Sequence, residues 1–248
     1  MKIIDAYWEK RNLNLTSKEI HVELNDSKED VIAALESIYG EYIVVSLPIG
    51  RKDLYDLMVT YQYSFVEAAF QLEMNVGQFQ LDSRYRDIAM HLSCLANSKN
   101  ARERVEQEIQ IGMYTTDRVS IDPFFQKNDT INRYIGFLSD ELARGAEIWE
   151  FMYDTIPIGY TCTRKVNETT YHQSLVGMYQ QSRGKGLGFA FAYLQAKELM
   201  ARGVSILSTV VSSNNMASMH VHTKNGFVPV GTKYIFVKHT NIEERLGG

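Results

Sequence analysis

Apolar and polar positions change period several times along the chain, and each change marks an element. Residues 1–19 show no clear period and read as an N-terminal arm. Ile20 to Leu24 alternates, as a short strand does. Ser27, with Asp30 three residues on, resembles a capping box and starts a helix over 28–39, with Gly40 as its stop. The run YIVVSLP (42–48) predicts a buried strand, RKDLYDLMVTY (51–61) a helix, and FVEAAFQLEM (65–74) a further strand. Residues 75–82 read as a linker, and YRDIAMHLS (85–93) as the first strand of a second domain. Ser98 caps a helix to about 113, with Val105, Ile109, Ile111 and Met113 on a rough apolar face. An aromatic loop over 115–129, broken by Pro123, leads into a helix over 130–143 that ends before Gly145. Three strands follow at 146–153, 156–164 and 170–179, and their short polar connections suit antiparallel hairpins. A helix over 187–202 stops at Gly203. Strand 204–211, helix 215–225 and a pair of strands around 227–238 complete the chain.

Part of this pattern recurs. A shift of 162 residues places 42–47 on 204–209, the helix 51–61 on 213–223, and Phe65 on Phe227. Identities are few, namely Ser46/Ser208, Val59/Val221, Phe65/Phe227 and Val66/Val228, but strand–helix–strand holds throughout. The chain reads as a partial internal duplication, 1–80 being one domain and 83–248 another.

The densest chemical signal is Gln181-Ser-Arg183-Gly184-Lys185-Gly186-Leu187-Gly188, set between a predicted strand and a predicted helix. Glycines let main chain approach a ligand, N–H groups converge in the turn, and the helix dipole adds partial positive charge. Arg183 and Lys185 add full charges suited to phosphate oxygens. Phe189 occupies the third glycine position of a dinucleotide fingerprint, and no Ser or Thr follows Lys185 as a Walker A loop requires. Gln181, Gly184 and Gly186 do match Q/R-x-x-G-x-G/A. That stretch resembles the pyrophosphate loop of the GNAT superfamily of acyl-CoA-dependent N-acyltransferases. The element order over 83–240 is similar to that superfamily's, which implies an α/β (α+β) GNAT fold with a mixed, mostly antiparallel sheet flanked by helices. The N-terminal copy has V-E-L-N-D where the loop would fall, so it resembles a degenerate half of such a domain without the usual cofactor site.

The resemblance assigns roles. Acetyl-CoA is the implied co-substrate. Its pantetheine arm would pair with main chain at Val176 and Met178, and its pyrophosphate would rest on amides from Arg183 to Gly188, Lys185 and Leu187 included. A second signature, N-x-x-A/S-x-x-x-Y-x-x-x-G-F, is matched by Asn215, Ser218, Gly226 and Phe227, with His222 where the family has tyrosine. Asn215 would cap the helix and reach a pantetheine amide. The tyrosine usually protonates the departing thiolate, so His222 is the candidate acid, with Tyr234, Ser218 or water as alternatives. The amine attacks only when neutral, and His172, Glu150 and Asp154 are candidate bases beside a water chain. The oxyanion would meet the backbone N–H near Met178.

Composition narrows the picture slightly. The chain has 248 residues, 45% of them hydrophobic, and a net charge of −4, which argues against a general nucleic-acid binder. Residues 1–80 carry 13 acidic and 7 basic side chains, while the loop-bearing remainder is weakly basic. The first residues hold too short an apolar run for a signal peptide, and none approaches a membrane span. Cys94 and Cys162 are far apart and lack metal-ligand spacing. A cytoplasmic enzyme without metal or membrane insertion is the expectation. The degenerate half-domain and the loop TDRVSIDPFF resemble the dTDP-fucosamine acetyltransferase group, which implies a nucleotide-linked amino sugar as acceptor and residues 115–126 as a stacking platform. Alternatives are a protein, polyamine or aminoglycoside amine, or an acyl-CoA sensor without turnover. A homodimer is the family-based expectation for assembly.

Overall fold

The computed structural model describes residues 1–240. In chain order its strands and α-helices are β1 (Lys2–Asp5), α1 (Tyr7–Leu13), β2 (Ser17–His21), α2 (Lys28–Ser37), β3 (Tyr42–Pro48), α3 (Lys52–Thr60) and β4 (Ser64–Asn75). Then come α4 (Arg86–Ala89), β5 (Leu92–Ala96), α5 (Ala101–Gln110), α6 (Lys127–Ala143), β6 (Glu147–Tyr153), β7 (Ile156–Lys165) and β8 (Thr170–Met178). The last four are α7 (Phe189–Ala201), β9 (Ile206–Ser212), α8 (Met216–Lys224) and β10 (Val228–His239).

The chain divides into two compact units. One holds residues 1–69, 117–133 and 232 onward, the other 70–116 and 134–231. In the first, strands run in the order β1-β2-β3-β10-β4. β1 and β2 are antiparallel, β2 and β3 parallel, and β3 pairs antiparallel with β10 from Lys233 opposite Pro48 to His239 opposite Tyr42. The last strand among the described residues therefore joins this sheet. Its core forms because β3 is apolar along nearly its whole length and α3 presents Leu54, Leu57 and Met58 at helical spacing. Ser27 caps α2 as predicted, its Oγ accepting the Asp30 N–H at 3.1 Å.

The second unit orders its strands β4-β9-β8-β7-β6-β5. β5 through β8 are successive antiparallel neighbours, and β8 meets β9 in parallel. Helix α7 is apolar nearly all round and lies in the core with Trp149, Phe151 and Leu207. Helix α5 buries Ala101, Val105 and Ile109, one turn apart each time.

Several expectations are corrected. Residues 1–19 are not an arm but β1, α1 and the start of β2. Residues 85–93 form a short helix before β5, because Asp82 accepts the Arg84 N–H and turns the chain there. Ser98 does not cap α5; Asn100 precedes it in a left-handed conformation, and the Ser98 hydroxyl serves Glu150 instead. Ile111 is exposed beyond the helix end. The expected terminal strand pair is one long strand, β10. Residues 241–248 of the expected range 83–248 lie outside the described residues.

The repeat is present at a different register. β3, α3 and β4 begin at 42, 52 and 64, while β9, α8 and β10 begin at 206, 216 and 228. The offset is constant at about 164, two more than sequence identity suggested, and matching elements have equal lengths of 7, 9 and 12 residues. The four identities seen at a shift of 162 therefore do not mark equivalent positions.

Candidate active site

Strand β8 pairs with β7 from Tyr171 to Met178 but with β9 only from Thr170 to Gln173. The two parallel strands part at Gln173, where β8 also carries one extra residue relative to β7, between Gln173 and Leu175. Beyond that point the main chain from Ser174 to Met178 has no β9 partner. An unpaired strand edge offers its N–H and C=O groups to an extended ligand. The gap opens into a cavity of about 280 Å³ whose wall includes Tyr114, Gln173, Val176, Met178, Asn215 and His222.

The glycine-rich stretch continues directly from that edge. After a single turn at Gln180–Ser182 the chain passes Gly184 and Gly186, both at φ +74°, where a side chain would be strained. A Cβ at Gly188 would come within 3.1 Å of Val221, so this position brings α7 and α8 close. The first turn of α7 has no side-chain cap; its Ala190 N–H is bound to the Leu187 carbonyl at 3.0 Å, so the helix start is only partly free to meet an anion. Not every predicted side chain takes part. Gln181 donates to the Pro157 carbonyl at 3.0 Å, and Leu187 is buried. Arg183 donates from Nε to the Met178 carbonyl at 3.1 Å and lies 3.8 Å from Glu108. Glu108 also accepts the Gln180 N–H at 2.9 Å, so it holds the start of the loop. A second hollow of about 380 Å³ shares Gly188, Val221 and Asn225 with the first and is edged by Lys224 and His220.

Helix α8 begins at Asn215, whose Oδ1 accepts the Ser218 N–H at 3.0 Å. One turn further, His222 is buried and packs edge-on against Phe227. Its Nδ1 lies 2.8 Å from the Ser218 carbonyl, and its Nε2 lies 3.3 Å from the Gln173 side-chain amide nitrogen. A carbonyl only accepts, so Nδ1 carries the proton and Nε2 the lone pair. Burial pushes the His222 pKa below its usual value, partly opposed by the Ser218 hydrogen bond. The ring is thus a neutral acceptor, which does not fit the proton donor expected from sequence.

The other candidates divide clearly. Glu150 is fully buried; burial would raise its pKa, but hydrogen bonds from Arg104, Ser98 and Tyr179 take it lower. It is a structural carboxylate, not a solvated base. Asp154 is exposed at a turn and pairs with His91 at 2.8 Å. His172 contacts Ser208 across β9 at 3.0 Å and is not in the cavity wall. Tyr234 packs in the first unit against Tyr55 and Phe65. Phe124 and Phe125 pack in the first unit as well, against His239 and Tyr42, so residues 115–126 do not form an open stacking platform. Sequence reasoning passed over Tyr114, which sits in a loop without period, and Gln173, which neighbours the favoured His172.

The first unit lacks these features. There β2 and β3 stay paired to the end, and Val22 N–H extends the ladder to the Ser46 carbonyl at 2.9 Å. In place of a glycine loop, the Leu24 and Asp26 carbonyls both receive Arg51 Nη1 at 2.9 Å. This loop presents acceptors to a cation rather than amides to an anion.

Residues 114–227 match the acetyltransferase (GNAT) family. Solved structures agree in fold. A GCN5-related N-acetyltransferase from Sphaerobacter thermophilus aligns at TM-score 0.58 and 9% identity, over 96% of this chain and 75% of that one. A GCN5-related glucosamine N-acetyltransferase region of a fungal multi-domain GH3 β-N-acetylglucosaminidase gives 0.59 and 9%, over 80% and 25%. A tandem GNAT protein from the clavulanic acid biosynthesis pathway gives 0.50 and 13% over 80% of this chain; the alignment spans 64% of that longer one. At such identities the likeness is one of fold. No curated protein matches the chain. The α/β architecture is the GNAT fold.

Proposed function

We propose that the second unit transfers an acetyl group from acetyl-CoA to a primary amine by direct attack. The observation that carries this reading is the parting of β8 from β9 directly ahead of the open glycine loop. Main chain at Val176 and Met178 faces the pantetheine arm, and the turn from Arg183 to Gly188 with the start of α7 faces the pyrophosphate. The second hollow, with Lys224 and His220, lies where the chain of cavities continues past Gly188. In the cavity, Asn215 borders the pantetheine path, and the attacking amine gives its proton to water.

The acceptor is a small molecule bearing an amine. A dTDP-4-amino sugar is the narrower reading, supported by the sequence likeness and not by an aromatic platform. The test is free-thiol release from acetyl-CoA with dTDP-4-amino sugars, polyamines, aminoglycosides and peptides, alongside direct binding of CoA. Turnover with one of these amines supports the enzyme. Binding with no turnover across the panel would leave an acyl-CoA sensor, and no binding would sink both.

A further inference from the structure

Among the cavity residues the Tyr114 hydroxyl has no role in the reading above, which this inference extends and on which it rests. Tyr114 lies in the loop after α5, stacked on Tyr134 with ring centroids 4.0 Å apart. Its hydroxyl is 2.7 Å from that of Tyr160 and 3.2 Å from the Val176 carbonyl. A carbonyl can only accept, so Tyr114 donates to Val176 and Tyr160 donates to Tyr114. The phenol thus aims its proton at the unpaired edge of β8, at a residue assigned to the pantetheine arm.

The chemistry needs a donor there. The amine nitrogen attacks the thioester carbonyl and forms C–N. Collapse of the tetrahedral intermediate breaks C–S, and the bonding pair stays on sulfur, which then takes a proton. The amine must be neutral to attack, so the donor must keep its proton at the same pH. Neutral His222 is poorly placed to give one, because its one N–H faces the Ser218 carbonyl within its own helix at 2.8 Å, whereas the Tyr114 O–H is held by a longer bond, 3.2 Å, to a carbonyl on the open edge of β8. A phenol keeps its proton at that pH, and burial further favours the protonated form of Tyr114. We infer that Tyr114 is the catalytic proton donor to the departing CoA thiolate, with Tyr160 hydrogen-bonding to the phenolate that remains. The phenolate is reprotonated by the proton the amine has released, carried by water in the cavity, so no proton is gained or lost over the cycle.

Tyr114→Phe keeps the ring and its stacking on Tyr134 while removing the proton. With acetyl-CoA, kcat is expected to fall about 100-fold or more while KM for acetyl-CoA and CoA binding stay within about twofold. With an acetyl thioester of a far more acidic thiol, such as the acetyl ester of 4-nitrothiophenol, the deficit is expected to shrink to a few-fold, since that leaving group needs no proton. A kcat within about twofold of wild type overturns the assignment. So does an equal loss with both thioesters, or a loss carried by CoA binding. Tyr160→Phe is expected to give a smaller kcat loss of the same leaving-group dependence. Wild-type protein that binds CoA but transfers to no amine overturns the proposed activity itself, a result distinct from an active enzyme indifferent to Tyr114.

Discussion

Nδ1 of His222 lies 2.8 Å from the carbonyl oxygen of Ser218, one helical turn earlier on α8. That bond fixes the tautomer, while burial makes the ring costly to charge and a proton on Nε2 would face the Gln173 amide. The folded-state pKa therefore lies below the unfolded value, as it does for His172, whose ring is also mostly buried and near Arg164. Above the unfolded value of about 6.5 neither state takes up a proton and stability is complete. As pH falls through 6.5 the unfolded chain binds protons that the fold refuses, and stability declines until the folded pKa is reached. Urea midpoints measured from pH 7.5 to 5 are expected to drop for wild type and to drop less for His222→Gln. Equal slopes in the two proteins would show that His222 charges freely in the fold.

Glu150 gives the opposite lesson, a carboxylate whose burial makes it structural. Arg104 Nε reaches it at 2.7 Å, the Ser98 hydroxyl at 2.6 Å and the Tyr179 hydroxyl at 2.8 Å. Arg104→Ala leaves a buried charge with only two neutral donors. The expected cost is about 3–5 kcal/mol of folding free energy, read as a lower urea midpoint at pH 7. Lowering the pH should narrow the gap between variant and wild type, since protonation relieves the stranded carboxylate. A variant as stable as wild type would mean that the pair contributes nothing beyond what it costs to bury.

Much of the architecture could be read from local sequence. Ser27 with Asp30, the apolar run at 42–48, and the glycine stop after 187–202 each act over a few residues, and the elements they announced are present. The misread segments depend on distant partners. Residues 2–5 have little pattern of their own and become a strand by pairing with 18–21. Residues 117–133 are a continuous part of the sequence yet fold with the first unit, as do residues from 232 on, which no linear boundary at 80 to 83 can express. At the site, glycines and Asn215 were legible because their roles are conformational. The side chains proposed to act on protons were not: His222 stood out as a residue type, but its tautomer is decided by Ser218, and Tyr114 reaches Val176 across 62 positions.

Of the two cations in the glycine-rich loop, only one is at liberty. Arg183 serves the Met178 carbonyl and faces Glu108, whereas Lys185 has no hydrogen bond or ion pair among the described residues. Lys185→Gln is expected to weaken CoA binding about three- to tenfold at low salt, a loss of about 0.7–1.4 kcal/mol, and less at 0.5 M salt. The same variant should bind an acetyl-pantetheine fragment without pyrophosphate as wild type does. Titration calorimetry with both ligands checks this. A loss shared by the fragment would place Lys185 on the pantetheine arm or in the fold rather than on phosphate.

The constant offset between the two strand–helix–strand repeats raises the question of how many co-substrate molecules one chain holds. In the first unit β2 and β3 remain paired, so no edge is open to a pantetheine arm. The turn after β2 carries Glu23 and Asp26, and its carbonyls are already bound by Arg51, which also pairs with Asp53 at 2.8 Å. A pyrophosphate there would meet carboxylates and carbonyl oxygens, both repulsive, and no glycine lets amides turn inward. CoA is therefore expected to bind at about one molecule per chain, and Arg51→Ala to leave that stoichiometry unchanged, because removing the cation supplies neither an open edge nor amides. Replacing Gly186 by valine forces a branched side chain into φ +74° and should abolish the single binding event. Two binding events in wild type, one surviving in Gly186→Val, would show that the first unit has kept a working site.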